Sequence, residues 1–129
     1  MKKKSLPVFF VGLLMCGCQM KEVINEYNVV PLPVTMNEQP GRFYLNSDVP
    51  VVVNASQEVK NIASSLSTTV LDVAGIKLKP GGELHENVPT IVFDSIPGME
   101  KEAYKLSVTP QLIKITASAP NGFYYGLQT

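Results

Sequence analysis

The residues of this 129-residue chain whose types could do chemistry are few: Cys16 and Cys18, the single histidine His85 between Glu83 and Glu86, and the carboxylates Glu100 and Glu102 around Lys101. A metal centre needs several converging ligands, and one histidine in a polar loop does not supply them. His85 therefore reads as a solvated loop residue, and no metal or cofactor is expected. Glu100 and Glu102 have charged neighbours, so nothing desolvates either carboxyl toward use as a general acid. Gly81-Gly82 lacks the following Lys-Ser or Lys-Thr of a phosphate-cradling loop and reads as turn chemistry. Asn54-Ala55-Ser56 fits a glycosylation acceptor, but a hydroxyl or amide at this point also suits the start of a helix.

The two cysteines fall at the end of an export-type leader. Lys2, Lys3 and Lys4 form a basic stretch, an apolar run covers Leu6 to Met15, and Met15-Cys16-Gly17-Cys18 follows. The run is too short to cross a bilayer as a helix. Its ending resembles a bacterial lipoprotein signal, in which a small residue precedes the cysteine that is lipidated. Gly17 before Cys18 fits that rule and Met15 before Cys16 does not, so Cys18 is the expected lipidation site, with residues 1–17 as signal and 18–28 as tether. Cleavage there would leave no thiol for a disulfide or a redox reaction. The expected location is the bacterial cell envelope, on the periplasmic side or at the outer-membrane surface, held by lipid rather than by a spanning segment.

Eleven basic and eleven acidic residues cancel over the whole chain, but three of the basic ones lie in the leader. The remainder is mildly acidic and has no basic stripe, which argues against a nucleic-acid partner. With 45% hydrophobic and 17% charged residues, one compact domain with a modest core is expected over 29–129.

The elements that would position any site follow from pattern. Val29 to Val34 carries two prolines and reads as an extended edge segment. Pro40-Gly41 turns the chain before a short strand at Phe43-Tyr44-Leu45. Val49 to Val53 is a continuous β-branched run, the form of a strand buried on both faces. Val59, Ile62, Ala63, Leu66, Val70, Val73 and Ala74 recur at helical spacing, between a cap at Asn54 or Ser56 and a stop at Gly75. Residues 77–89 read as loop and Thr90 to Ile96 as a second inner strand. Tyr104, Leu106 and Val108, then Ile113, Ile115 and Ala117, alternate with polar residues on either side of Pro110-Gln111, which predicts a hairpin. Asn121 and Gly122 open a last helix with few residues left, expected to be cut short. The fold class is α+β: a mixed, mainly antiparallel β-sheet with helices packed mainly on one face.

Three stretches carry a family likeness. Glu102 to Val108 (EAYKLSV), Ile113 to Ala117 (IKITA) and above all Gly122 to Thr129 (GFYYGLQT) resemble the end of the small non-catalytic domain that precedes the barrel in family 20 β-N-acetylhexosaminidases. Val30-Pro31-Leu32-Pro33 resembles that domain's opening strand. The resemblance implies a last helix leading into a (β/α)8 barrel, with Tyr125, Gly126, Gln128 and Thr129 as interdomain packing residues. It also implies a reaction in which the substrate's own 2-acetamido group attacks the anomeric carbon while a glutamic acid protonates the leaving oxygen. The adjacent Asp-Glu pair that does this in the family belongs to the barrel and has no counterpart in this sequence. No catalytic residue is thus expected in the chain, and amino-sugar glycans would be met through the parent enzyme. Two other readings compete: a free-standing, lipid-anchored glycan- or protein-binding module, and the matching domain of an α-glucuronidase or an O-GlcNAc-removing enzyme.

Overall fold

A computed structural model describes residues 29 and 32–129. The leader, Cys18, the tether, Val30 and Pro31 lie outside the described residues.

Among the described residues five strands and two helices follow in the order β1 (Pro50–Asn54), α1 (Gln57–Ala74), β2 (Lys79–Pro80), β3 (Thr90–Ser95), β4 (Tyr104–Val108), β5 (Leu112–Ala117) and α2 (Pro120–Gln128). The strands form one sheet in the order β2-β1-β3-β5-β4. The expected mixed sheet is present, but it is not mainly antiparallel. Only β4 and β5 run antiparallel, joined by the predicted turn, while β1–β2, β1–β3 and β3–β5 are all parallel. The physical reason is connectivity: a tight turn dictates an antiparallel partner, whereas α1 crosses over between β1 and β2 and lets both run the same way. The apolar runs of β1 and β3 carry the matching signature, since parallel strands tend to be covered on both faces; Val51, Val52, Ile91, Val92 and Phe93 are all buried.

Cross-strand register places Val51, Ile91, Phe93, Ile115 and Ala117 on one face of the sheet. These residues share a core with Val59 and Ala63 of α1 and Phe123 of α2, so both helices cover that face. The opposite face carries Val52, Val92 and Thr116 together with a Lys114–Asp94 ion pair at 2.6 Å.

α1 begins where expected. The Ser56 hydroxyl accepts from the Val59 amide at 3.5 Å, and Gly75, at φ 68°, ends the helix in the left-handed conformation that glycine adopts without strain. The predicted apolar stripe is too long by one turn, because Val73 is 83% exposed and Ala74 is exposed too. Eighteen helical residues span about 27 Å, whereas strands of five or six residues span about 17–20 Å, so the last turn overhangs the sheet. Two other expectations are corrected. Phe43-Tyr44-Leu45 alternates as a strand would, with Phe43 and Leu45 leaning on the core and Tyr44 exposed, but it joins no ladder. Lys79–Pro80, read as loop, is the short edge strand β2. Of the proline-rich opening segment, Leu32 and Pro33 are described and lie in no strand.

Candidate docking surface

α2 is nine residues long, and its sequence PNGFYYGLQ contains no charge. A helix that short is marginal by itself in water, so packing must hold it. Pro120 starts it at a position where the missing amide costs nothing, and Ala119 offers no side-chain cap. The Gly122 amide instead donates to the carbonyl of Lys101 at 3.1 Å, tying the first turn to the loop before β4.

The inward face is built on small residues and one aromatic. A Cβ on Gly122 would collide with the Ala103 carbonyl oxygen and come within 2.9 Å of the Ala117 Cβ; one on Gly126 would lie 2.7 Å from Ile115 Cγ2 and 3.0 Å from Tyr104 Cδ2. Between these two glycines Phe123 enters the core, its ring centroid 6.2 Å from that of Phe93. The Thr129 hydroxyl donates to the Tyr125 carbonyl at 3.1 Å, which leaves its oxygen to accept from the Tyr104 hydroxyl at 2.5 Å. β4 and the end of α2 are thereby latched together.

The outward face is a stripe at helical spacing: Asn121, Tyr124, Tyr125 and Gln128, all exposed. Tyr124 and Tyr125 are 50% and 39% accessible, with ring centroids 6.0 Å apart in an edge-to-face arrangement. Beside them a groove of about 250 Å³ runs against the first turn of α1, lined by Glu58, Pro120, Asn121, Tyr124 and Tyr125. Tyrosine-rich surface depleted of charge is the composition of an interface centre, not of ordinary solvated helix.

The sequence-predicted residues divide on this geometry. Tyr125 and Gln128 do lie on the outward stripe. Gly126 does not: it faces the sheet, and its small size serves packing inside this domain. Thr129 is tied inward to Tyr104. Asn121, read from sequence only as a helix opener, completes the surface together with Tyr124 and Glu58. The 3–4 spacing and absence of charge would have found the first two, but Glu58 joins only through the fold.

Among the described residues, the rest of the surface carries no reactive constellation. A larger groove of about 530 Å³ between β1, α1 and the Pro80-Gly81-Gly82 turn contains Lys60 as its single charge, and the Ser64 and Ser67 hydroxyls along it donate to carbonyls of their own helix. Neither groove brings two carboxylates together. His85, Glu83, Glu86, Glu100 and Glu102 are all exposed, and among the described residues no three histidine, cysteine, aspartate or glutamate side chains gather at one point. Gly81 and Gly82, at φ 77° and 121°, form a turn.

This architecture has known counterparts. The fold is similar to part of an exo-β-N-acetylglucosaminidase from Vibrio harveyi, with a TM-score of 0.65 and 22% identity over 77% of this chain and 15% of that one. It is similar to part of a Streptomyces plicatus β-hexosaminidase solved with N-acetylglucosamine, with a TM-score of 0.66 and 20% identity over 77% of this chain and 19% of that one. A β-N-acetylhexosaminidase from Bacteroides fragilis gives 0.58 and 21%, again over 77% and 19%. The chain thus spans less than a fifth of the length of these proteins. The family model described as glycosyl hydrolase family 20, domain 2 matches residues 26–129. The chain belongs to that domain family, the non-catalytic domain of family 20 β-hexosaminidases.

Proposed function

We propose that this chain is the accessory domain of an exported, lipid-anchored β-N-acetylhexosaminidase, which docks on a catalytic (β/α)8 barrel through the outward face of α2 and leaves catalysis to that barrel. The observation that carries the reading is the domain-2 match over residues 26–129, which covers the sheet and both helices. The uncharged stripe of α2 gives such a domain a surface to pack with. The parent reaction would be removal of terminal β-linked N-acetylglucosamine or N-acetylgalactosamine by the substrate-assisted route, its acid and its acetamido-orienting carboxylate both in the barrel. Cys18 would carry the lipid that holds the protein at the cell envelope.

The test is direct. The reading frame beyond Thr129 should encode several hundred further residues with an adjacent Asp-Glu pair, and the complete product should release nitrophenol from a chromogenic N-acetyl-β-glucosaminide while the 129-residue chain does not. A complete product without that activity would overturn the enzyme reading. For the anchor, metabolic labelling with a clickable fatty acid should mark the protein and be abolished by Cys18→Ser but not by Cys16→Ser.

A further inference from the structure

We infer that the groove between α1 and α2 is a socket for one arginine side chain presented by the surface that docks on α2. The inference rests on the docking proposed above and specifies the chemistry of its partner. Tyr124 and Tyr125 rise from the same stripe that lines the groove, so a body covering the tyrosines also covers Glu58. A carboxylate taken out of water without a partner is strongly unfavourable, and one left unpaired at an interface would oppose docking. This domain supplies no such partner: α2 has no charged residue, Glu58 is the only charge lining the groove, and among the described residues Glu58 forms no ion pair. The cation must come from the other side.

The lining of the groove, a carboxylate, a side-chain amide and two tyrosine rings, favours one kind of cation. A guanidinium presents a planar fork of donors that can engage the Glu58 carboxylate on one edge and the Asn121 side-chain carbonyl on another, while its face lies on a tyrosine ring. An ammonium is a strongly hydrated point charge and uses neither the planarity nor the ring as well. Glu58 also sits in the first turn of α1, where the exposed amides favour a negative charge. That position leaves the carboxylate at the rim of the groove, exposed to a partner.

The experiment titrates the 129-residue chain, isotopically labelled for NMR, with N-acetyl-arginine methylamide, N-acetyl-lysine methylamide and N-acetylglucosamine as separate probes. The expected result is saturable movement of the Asn121, Tyr124 and Tyr125 signals by the arginine probe, with binding weakened about threefold or more by Glu58→Gln and by Tyr124→Leu, and a weaker response to the lysine probe. Both positions are exposed, so neither variant threatens the fold. Absence of saturable movement, indifference to Glu58→Gln, or a response to N-acetylglucosamine in place of arginine would overturn the socket. Failure here leaves the family assignment and the activity assay standing, whereas loss of the enzyme reading leaves the titration unchanged.

Discussion

The two helices cover the same face of the sheet, yet they are made in opposite ways. α1 has eighteen residues, a hydroxyl cap, a left-handed glycine stop and an outer face of charged and polar residues such as Lys60, Asn61, Ser64, Thr68 and Asp72. α2 has nine residues, no side-chain cap, two glycines pressed against the sheet and an outer face of Asn121, Tyr124, Tyr125 and Gln128. The outer face of α1 is charged and polar, Leu71 and Val73 at its overhanging end apart, while that of α2 carries two exposed tyrosines and no charge. What is buried beneath a helix and what it shows outward are separate design problems, and only α2 combines a glycine-lined inner face with an uncharged, tyrosine-bearing outer one.

The sharpest way to break this contrast is to attack the inner face of α2. Phe123→Ala removes a side chain that is 1% exposed and should destabilise the chain by about 3–5 kcal/mol in chemical denaturation. Gly126→Ala should cost about 1–3 kcal/mol, because the new methyl meets Ile115 and the Tyr104 ring rather than open space. A neutral or stabilising result at Gly126 would mean that α2 does not sit as closely as described. Tyr104→Phe deletes the latch to Thr129 and should cost about 1 kcal/mol, with faster hydrogen exchange confined to the end of α2. On α1, Ser56→Ala should cost only about 0.5 kcal/mol, since the capping contact is long. The smallest effect should come from the outer stripe: Tyr124→Ser and Tyr125→Ser should each shift the stability of this chain by less than about 0.5 kcal/mol. If they cost as much as Phe123→Ala, those rings belong to the domain's own core and the contrast between the two faces of α2 fails.

Much of the scaffold is legible in the sequence because it is built from local signals. The 3–4 spacing from Val59, the cap at Ser56, the stop at Gly75 and the two alternating runs around Pro110-Gln111 each state their structure within a few residues. What is hidden depends on distant partners. Strand direction across β1, β3 and β5 cannot be read from alternation, which reports burial and not the neighbour's orientation. β2 has two exposed residues, one a proline, and no apolar pattern to announce it. The overhang that exposes Val73 follows from the length of the strands beneath α1. Gly126 is the clearest case at the candidate surface: the family resemblance implies an interdomain packing residue, and only the fold shows that it packs against Ile115 and Tyr104 of this domain. Glu58 and Asn121 stand sixty-odd positions apart and become neighbours only because α1 and α2 lie side by side on one sheet.

The central proposal is that the outer stripe of α2 is covered by a catalytic barrel in a longer parent protein. Tyrosine nitration with tetranitromethane, located by mass spectrometry in both the 129-residue chain and the full-length protein, tests it with an internal control, because Tyr44 is 74% exposed and far from α2 in sequence. The account predicts that Tyr124, Tyr125 and Tyr44 are all nitrated in the short chain, and that in the full-length protein Tyr124 and Tyr125 become protected while Tyr44 does not. Equal nitration of Tyr124 and Tyr125 in both forms would contradict it.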